Sequence, residues 1–295
     1  MAAEKRVVFK SAWLPWVLIA PQVAVISIFF FWPAAQALLQ SVQQSDAFGT
    51  SVVFVGLDNF RNLWNDASYL ASFKTTAMLS LRVAVLGLTL SLTLASFADR
   101  VVKGSGVYRT FLIWPYAVAP AVAGVLWLFM FAPSIGIVSY GIRELGMSWD
   151  PLLNSDHAMA LIVMAAVWKQ ISYNFLFFLA GLQSIPKSLI EAASMDGARP
   201  WRRFWTIQLP LLSPTTFFLL VINIVYAFFD TFAIVDAATK GGPGKDTAIL
   251  VYKVYFDGFK AMDLGGSAAQ SVVLMIIVIA LTVVQFRFVE KKVNY

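Results

Sequence analysis

Long apolar stretches separated by short polar segments make up most of the chain. A bilayer core about 30 Å thick is crossed by a helix of about 20 apolar residues. Six stretches reach that length, and none alternates apolar and polar positions as transmembrane β-strands do. The pattern therefore predicts an all-α, polytopic membrane protein whose residues 1–295 form a single transmembrane domain. The six transmembrane helices are predicted near Trp13–Phe31, Thr75–Ala98, Thr110–Phe131, Ala158–Gly181, Leu211–Val235 and Ser267–Phe286.

The first apolar stretch has a second interpretation, as a cleaved secretory signal. It follows basic residues, and the segment PAAQA (Pro33–Ala37) offers the small side chains that a cleavage site needs. The apolar run is longer than a typical signal core, however, and Trp13, Trp16 and Trp32 bracket it as interfacial anchors do. These features favour a retained first helix.

The composition agrees with the membrane assignment. Of the 295 residues 59% are hydrophobic and only 13% are charged, against about 25% charged in soluble domains. The chain has no cysteine and a single histidine, so disulfides are excluded and no metal site is predicted. The formal charge of +6 comes without a nucleic-acid-binding motif. Basic residues here therefore indicate cytoplasmic loops and contact with membrane lipid rather than with nucleic acid.

The distribution of lysine and arginine predicts the orientation. With the N-terminus inside, 13 of the 22 Lys and Arg residues fall in cytoplasmic segments and 7 fall outside. The other two, Arg82 and Lys169, lie within predicted spans. Because cytoplasmic loops carry the excess of positive charge, both termini are predicted to be cytoplasmic (N-in/C-in). The last outer loop, with four lysines, fits this rule least well.

A basic, polar loop, residues 184–210, lies between the fourth and fifth predicted spans, and the predicted orientation places it in the cytoplasm. Pro186 suits the first turn of a short helix, and Gly197 suits the left-handed position that ends it. A second short helix is predicted from Trp201 to Gln208, with Pro210 ending it before the fifth span. Two short helices joined by a sharp turn indicate a structured loop rather than a linker.

Physical chemistry alone leaves two interpretations of this loop open. Trp201, Trp205 and the basic pair Arg202 and Arg203 would suit an amphipathic helix lying among lipid headgroups. The apolar residues of the first short helix would equally suit a groove on a cytoplasmic protein.

The loop contains the pattern E-A-A, three residues, G, nine residues, I, one residue, L-P. This spacing is similar to the loop signature of binding-protein-dependent ABC importer permeases, in their sugar-type branch related to the maltose permeases. The resemblance implies a type I ABC importer permease fold and a coupling loop that docks on an ATPase subunit. The positions that match are Glu191, Ala192, Ala193, Gly197, Ile207, Leu209 and Pro210.

The same resemblance implies the partners and the mechanism. They are a second permease subunit forming a heterodimer, two ABC ATPase subunits and an extracytoplasmic solute-binding protein. ATP and Mg²⁺ would be bound by the ATPases, so no cofactor is expected in this subunit. Transport would proceed by alternating access across the inner membrane of a prokaryote.

Longer stretches, spread from the first outer loop to the last helix, resemble the permeases that import sn-glycerol 3-phosphate. The resemblance implies this substrate, with glycerophosphodiesters as further cargo; a disaccharide or another polyol is the alternative for the same machinery. The stretches are FVGLDNF (Phe54–Phe60), WPYAVAPAVAGVLW (Trp114–Trp127), VWKQISYNFLFF (Val167–Phe178), VYAFFDTF (Val225–Phe232) and SAAQSVVLM (Ser267–Met275).

Polar side chains within the spans are the candidates for a substrate pathway, because charge in a membrane is costly and usually functional. Lys169 lies near the middle of the fourth predicted helix, with Tyr173 and Asn174 close by, and Asn223 lies in the fifth. A buried ammonium group suits a phosphomonoester, for which it acts as a point charge. A purely structural lysine, bonded to a helix-end carbonyl or to the partner subunit, is the alternative.

Arg82 and Asp230 form a second candidate pair. Both lie a turn or two from the outer ends of their predicted helices, so an ion pair at an outer gate is possible at this depth. A permanent structural ion pair is the other interpretation.

No enzymatic function is predicted for this chain. GGPGKDT (Gly241–Thr247) lacks the spacing and the Ser or Thr of a nucleotide-binding loop, and no catalytic constellation occurs. An ion-coupled secondary carrier that uses Arg82, Lys169 and Asp230 is a competing function. The loop signature and the lack of an evident internal repeat argue against it.

Overall fold

The helices and strands come from a computed structural model, which describes residues 13–46, 51–99 and 105–292. The chain is mostly helical (79%), which confirms the all-α class. Within these ranges four helices are long and apolar enough to cross a membrane, and two bent helix pairs would bring the number to six. The four are Leu14–Ser41, Ala67–Ala98, Ser155–Ser184 and Leu264–Arg287.

The elements are numbered along the chain. The two strands pair antiparallel, with Gln44 opposite Val53. The elements are α1 (Leu14–Ile26), α2 (Trp32–Ser41), β1 (Gln43–Ser45), β2 (Val52–Phe54), α3 (Asp58–Asn65), α4 (Ala67–Ala98), α5 (Ser105–Ala117), α6 (Pro120–Met130), α7 (Ile137–Glu144), α8 (Ser155–Ser184), α9 (Lys187–Met195), α10 (Pro200–Arg203), α11 (Leu209–Leu211), α12 (Ser213–Phe229), α13 (Phe232–Ala238), α14 (Leu250–Tyr255) and α15 (Leu264–Lys292). Stretches of π-helix at Ser27–Phe31, Phe204–Gln208 and Phe256–Lys260 join α1 to α2, join α10 to α11 and extend α14.

Helix α8 is the centre of the bundle. Two-thirds (67%) of its most apolar window is buried, whereas none of the corresponding window in Leu14–Ser41 is. Leu79 and Val83 of α4 share one buried cluster with Ile162 and Ala166 of α8. Small residues such as Ala166 let helix backbones approach closely, and this close packing stabilises helix contacts in a membrane.

The third predicted span is not one continuous helix. Its two halves, α5 and α6, are separated by a bend at Val118 and Ala119, where the helix axis changes direction by 103°. Pro120 accounts for this break, because a proline has no backbone N–H and disfavours helical geometry in the residue before it. Ala119 accordingly has an extended backbone (φ −60°, ψ 139°).

The fifth predicted span also differs from expectation. It begins at Ser213, after a 67° bend at Leu212, and ends at Phe229, so α13 is a separate short helix. The second short helix ends at Leu211, one residue after Pro210, where the chain bends into α12. The π-turn Phe204–Gln208 widens the helix just before Pro210, which relieves the clash of the proline ring, and the helix continues to Leu211.

An intramembrane cavity and an exposed loop

A cavity of about 580 Å³ opens beside the break between α5 and α6. Its size is typical of sites for small molecules. Irregular backbone at membrane depth is tolerated where it lines such a cavity rather than facing lipid. The polar side chains of the wall are Tyr116, Lys169, Gln170, Tyr173, Tyr226 and Asp230.

Lys169 lies halfway along α8 and its residue surface is only 7% exposed. Its Nζ donates hydrogen bonds to the carbonyl oxygens of Val118 and, at 3.5 Å, Tyr116. The break leaves these carbonyls near the end of α5 without regular helical partners. Lys169 therefore compensates the broken backbone and, at the same time, gives the cavity a positive charge. Lys169 thus makes the hydrogen bonds to helix-end carbonyls that a structural lysine would make, and it also lines the cavity.

Aromatic rings form one wall of the cavity. Tyr173 lies one turn after Lys169, and its ring stacks on that of Tyr116 with centroids 6.2 Å apart and planes inclined by 27°. Phe177 continues this row, with its centroid 4.8 Å from that of Tyr173. Of the four predicted pathway residues, the structure thus places Lys169 and Tyr173 on the cavity.

Asn174 and Asn223 do not line the cavity, so the structure corrects their predicted place. Both are fully buried and exchange two hydrogen bonds of 2.8 and 3.0 Å between α8 and α12. Asn223 also donates to the carbonyl of Leu219 at 2.7 Å. Their amides are occupied with each other, and Gly87 of α4 packs directly on the pair. They clamp three helices together.

Asp230 follows the last residue of α12 and lines the same cavity as Lys169. Among the residues that the structure describes, Asp230 forms an ion pair with neither Arg82 nor Lys169. Arg82 instead lies on the exposed side of α4. The gate pair is not formed in this conformation and stays a prediction for another one.

The loop between α8 and α12 has the predicted helix, turn and second helix. Gly197 has φ +77°, and two hydrogen bonds close the turn: Gly197 N to the Ser194 carbonyl and Ala198 N to the Ala193 carbonyl. This pair of bonds is the Schellman arrangement that ends many helices at glycine. Helix α9 has no buried residue, and Leu189 and Met195 are exposed. An exposed apolar surface of this kind is typical of a docking element.

The signature residues are spread over the whole loop. A cavity of about 530 Å³ separates α9 from the C-terminal ends of α4 and α8, and Glu191 lines it together with Asp99 and Lys187. In the structure Glu191, Ala192 and Ala193 lie on α9, Gly197 at the turn, Ile207 in the π-turn, and Leu209 and Pro210 in α11.

A charged cluster joins α14 to the start of α4, at the end of α4 that is far from α9. Lys253 Nζ lies 2.8 Å from Asp257 Oδ2 and 3.2 Å from Asp66 Oδ2. Burial opposes the charge of Lys253, but its hydrogen bonds to the two carboxylates outweigh burial and raise its pKa. The spacing of four residues between Lys253 and Asp257 was an available signal, whereas the contact with Asp66, far away along the chain, could not be predicted from the sequence.

Comparisons with known proteins agree with this geometry. A family model described as "Binding-protein-dependent transport system inner membrane component" matches residues 5–295. Over 291 residues, and 99% of both chains, the sequence is 64% identical to the sn-glycerol-3-phosphate transport system permease protein UgpA of Agrobacterium fabrum (strain C58). The protein of the same name from Rhizobium meliloti (strain 1021) is 62% identical over the same length.

Solved structures show the same fold at low sequence identity. A chain of a bacterial ABC transporter involved in the import of the acidic polysaccharide alginate superposes with a TM-score of 0.82 at 20% identity, covering 96% of each chain. A second structure, of a bacterial alginate ABC transporter in complex with an alginate pentasaccharide-bound periplasmic protein, gives a TM-score of 0.79 at 21% identity, covering 92% of each.

Proposed function

The chain belongs to the family of binding-protein-dependent transport system inner membrane components, and we propose that it imports sn-glycerol 3-phosphate as a permease subunit. It is a multi-pass inner-membrane transport protein of a bacterium. The observation that carries the proposal is the identity of 64% and 62%, over 99% of each chain, to permeases named for this substrate. Glycerophosphodiesters, which carry the same phosphate, are proposed as further cargo.

We assign the phosphate group to Lys169. An ammonium has three donors, and the carbonyls of Tyr116 and Val118 accept two of them, so one N–H remains for a phosphate oxygen. Asp230, on the same cavity, would accept hydrogen bonds from the glycerol hydroxyls. Tyr173 and Tyr116 would pack against the carbon chain.

The remaining components follow from the family. We propose a heterodimer with a second permease, two ABC ATPase subunits in the cytoplasm and an extracytoplasmic solute-binding protein. In this arrangement both termini are cytoplasmic and residues 1–295 form one transmembrane domain. The subunit itself is non-catalytic and holds no cofactor, since ATP and Mg²⁺ are bound by the ATPases.

Energy would reach the cavity through the coupling loop. ATP binding closes the ATPase dimer and draws the two coupling helices together, which turns the cavity from inward- to outward-facing. The Arg82–Asp230 ion pair would form in one of these states and break in the other. The residues proposed to couple the movement are Glu191, Ala192, Ala193, Gly197, Ile207, Leu209 and Pro210.

Substrate-stimulated ATP hydrolysis tests the proposal. The complex, reconstituted with its solute-binding protein, should be stimulated by glycerol 3-phosphate and not by maltose or trehalose. Stimulation only by a disaccharide would keep the transporter and replace the substrate; the aromatic wall of Tyr116 and Tyr173 would then stack on a sugar ring.

Two variants separate the phosphate role of Lys169 from general damage to the cavity. Lys169→Met should abolish stimulation by glycerol 3-phosphate, whereas Tyr173→Phe, which keeps the aromatic wall, should retain most of it. Unchanged stimulation of Lys169→Met in an assembled complex would refute the phosphate assignment.

A further inference from the structure

The second half of the coupling loop is a helix that runs at a steep angle to the spanning helix after it. Residues Pro200–Leu211 form one helical segment, called here the boundary helix, and it meets the start of the spanning helix α12 at 67°. Twelve residues at 1.5 Å each give it a length of roughly 18 Å. If α12 is perpendicular to the membrane, the far end of the boundary helix lies only about 7 Å beyond the start of α12. A tilt of α12 by about 20°, the average for such helices, extends this to about 12 Å at most.

The value of about 7 Å matches the lipid headgroup layer, which adds some 5 to 8 Å on each side of the hydrocarbon core, and the limit for a tilted α12 lies about 4 Å beyond that layer. The side chains suit it. Trp201 is 72% exposed and Trp205 is 49% exposed, with ring centroids 5.4 Å apart, and Phe204 packs on both. Tryptophan is enriched at this interface, because its ring is apolar and its N–H needs a polar partner.

The same segment concentrates positive charge. Arg199 directly precedes the helix, and Arg202 and Arg203 lie in its first turn. Within the described part of the chain none of these three arginines is in an ion pair. Guanidinium groups bind phosphate oxygens through paired hydrogen bonds, and each basic residue near an anionic membrane surface strengthens the attraction.

We propose that the boundary helix, with Arg199, is a binding site for anionic phospholipid headgroups. Lipid is favoured over the ATPase as its occupant, because the 67° bend keeps the helix close to the start of the spanning helix α12 and its two tryptophans are exposed. The turn at Gly197 then divides the coupling loop between two partners: α9 on its far side docks on protein, and the boundary helix rests on lipid. The bound lipid then holds one end of the coupling loop in place while the loop transmits movement to the spanning helices. This inference does not depend on which substrate is carried.

Depth measurement provides the first test. Since the chain has no cysteine, a nitroxide can be attached at a single introduced one. Thr206→Cys labels the boundary helix without removing a tryptophan, and Met195→Cys on α9 is the matched control, exposed in the same loop. In the assembled transporter in nanodiscs, the label at position 206 should be accessible to oxygen and shielded from a water-soluble nickel chelate, and the label at 195 should show the reverse. Equal exposure to the chelate at both positions would overturn the proposal. So would shielding at 206 that disappears when the ATPase subunits are removed.

Lipid selectivity provides the second test. Association of spin-labelled phosphatidylglycerol, relative to spin-labelled phosphatidylcholine, should fall about tenfold or more in the variant R202Q/R203Q. Arg61→Gln is the control, since Arg61 is exposed but already paired with Asp58 at 3.2 Å, and it should leave the ratio unchanged. A ratio that does not change in R202Q/R203Q would refute the site. Loss of the ATPase subunits from that variant, at an unchanged ratio, would assign the helix to the protein interface instead.

Discussion

At the scale of single residues, polar groups inside the bundle are used in two ways. Asn174 and Asn223 satisfy each other and close the space between their helices. Lys169 is only partly satisfied, since backbone carbonyls accept two of its three protons and the third faces a cavity. In a membrane every unsatisfied donor is costly, so the incomplete set at Lys169 supports the proposal that this ammonium group binds the substrate.

The asparagine pair yields a prediction about stability. Asn174→Ala removes one partner and leaves the Asn223 amide oxygen buried without its donor, so the assembled complex should lose about 1 kcal/mol of stability. Thermal denaturation of the two single variants and the double variant N174A/N223A gives the coupling energy of the pair. Substrate stimulation per folded complex should stay unchanged. Altered substrate selectivity at unchanged stability would return Asn174 to the pathway.

The sequence only partly distinguishes polar residues that pair with each other from polar residues that face the cavity. It identified Lys169, Tyr173 and Asn174 as polar residues at membrane depth, and helical geometry explains which of them share a face. Tyr173 is four residues from Lys169 and lies about 40° away around the helix, whereas Asn174 is rotated by about 140°. The pathway prediction for Asn174 considered depth and not rotation. The contact with Asn223 could not be read from either helix alone.

At the scale of elements, close contact at small residues determines how α6 packs against α13. Gly124 of α6 faces α13, and a Cβ atom there would lie 2.9 Å from the Ile234 carbonyl oxygen and 3.2 Å from Ala237 Cβ. Because these atoms are backbone or directly attached to it, Gly124→Ala forces the helices apart and should cost about 1–3 kcal/mol. Gly141→Ala on α7 is the control, since nothing lies within 4 Å of its Cβ position. Chemical denaturation that affects both variants equally would contradict the close contact.

The turn after α9 is limited by backbone conformation rather than by space. Gly197 has φ +77°, and no atom lies within 4 Å of a Cβ built on it. Gly197→Asn should therefore keep most of the substrate-stimulated ATP hydrolysis, because asparagine tolerates the left-handed region. Gly197→Val should lower it severalfold, since a β-branched residue there costs on the order of 1–2 kcal/mol or redirects the chain. Equal loss in both variants would mean that the bare glycine surface is itself a contact.

Helix bends are where sequence reasoning about elements reached its limit. The apolar length of Thr110–Phe131 predicted one straight span, and hydropathy does not register a change of direction. Pro115 and Pro120 within WPYAVAP were the available signal, since the two prolines remove two backbone donors in six residues. The β1–β2 hairpin was missed because its strands have only three residues each.

At the scale of the whole molecule, the bends place the candidate sites. The break between α5 and α6 creates the cavity beside Lys169, and the bend at Leu212 sets the angle between the loop and α12. Both irregularities lie against α8, which is one continuous and largely buried helix. Broken helices can change angle without unfolding, so a continuous central helix flanked by broken ones suits a cavity that opens alternately.

The broken pair raises the question of whether it crosses the membrane. With a bend of 103°, helices of 13 and 11 residues span roughly 23 Å end to end, less than the hydrocarbon core of about 30 Å. Packing against α8 nevertheless favours a crossing. Tyr108 of α5 contacts Phe175, in the second half of α8, and Phe131, just after α6, clusters with Leu161 near the start of α8.

Single-cysteine labelling decides the matter, and the absence of native cysteine removes the background. Val107→Cys and Ile135→Cys lie at the two ends of the broken pair, and Leu153→Cys and Met195→Cys mark the two sides of α8; all four native side chains are exposed. With both termini cytoplasmic, a membrane-impermeant maleimide should label positions 135 and 153 in intact cells, and positions 107 and 195 only after permeabilisation. A re-entrant pair would give 107 and 135 the same accessibility, leaving an odd number of crossings and opposite termini. The reversed pattern at all four positions would keep six crossings and invert the protein, which would move the coupling loop outside and remove the mechanism proposed for it.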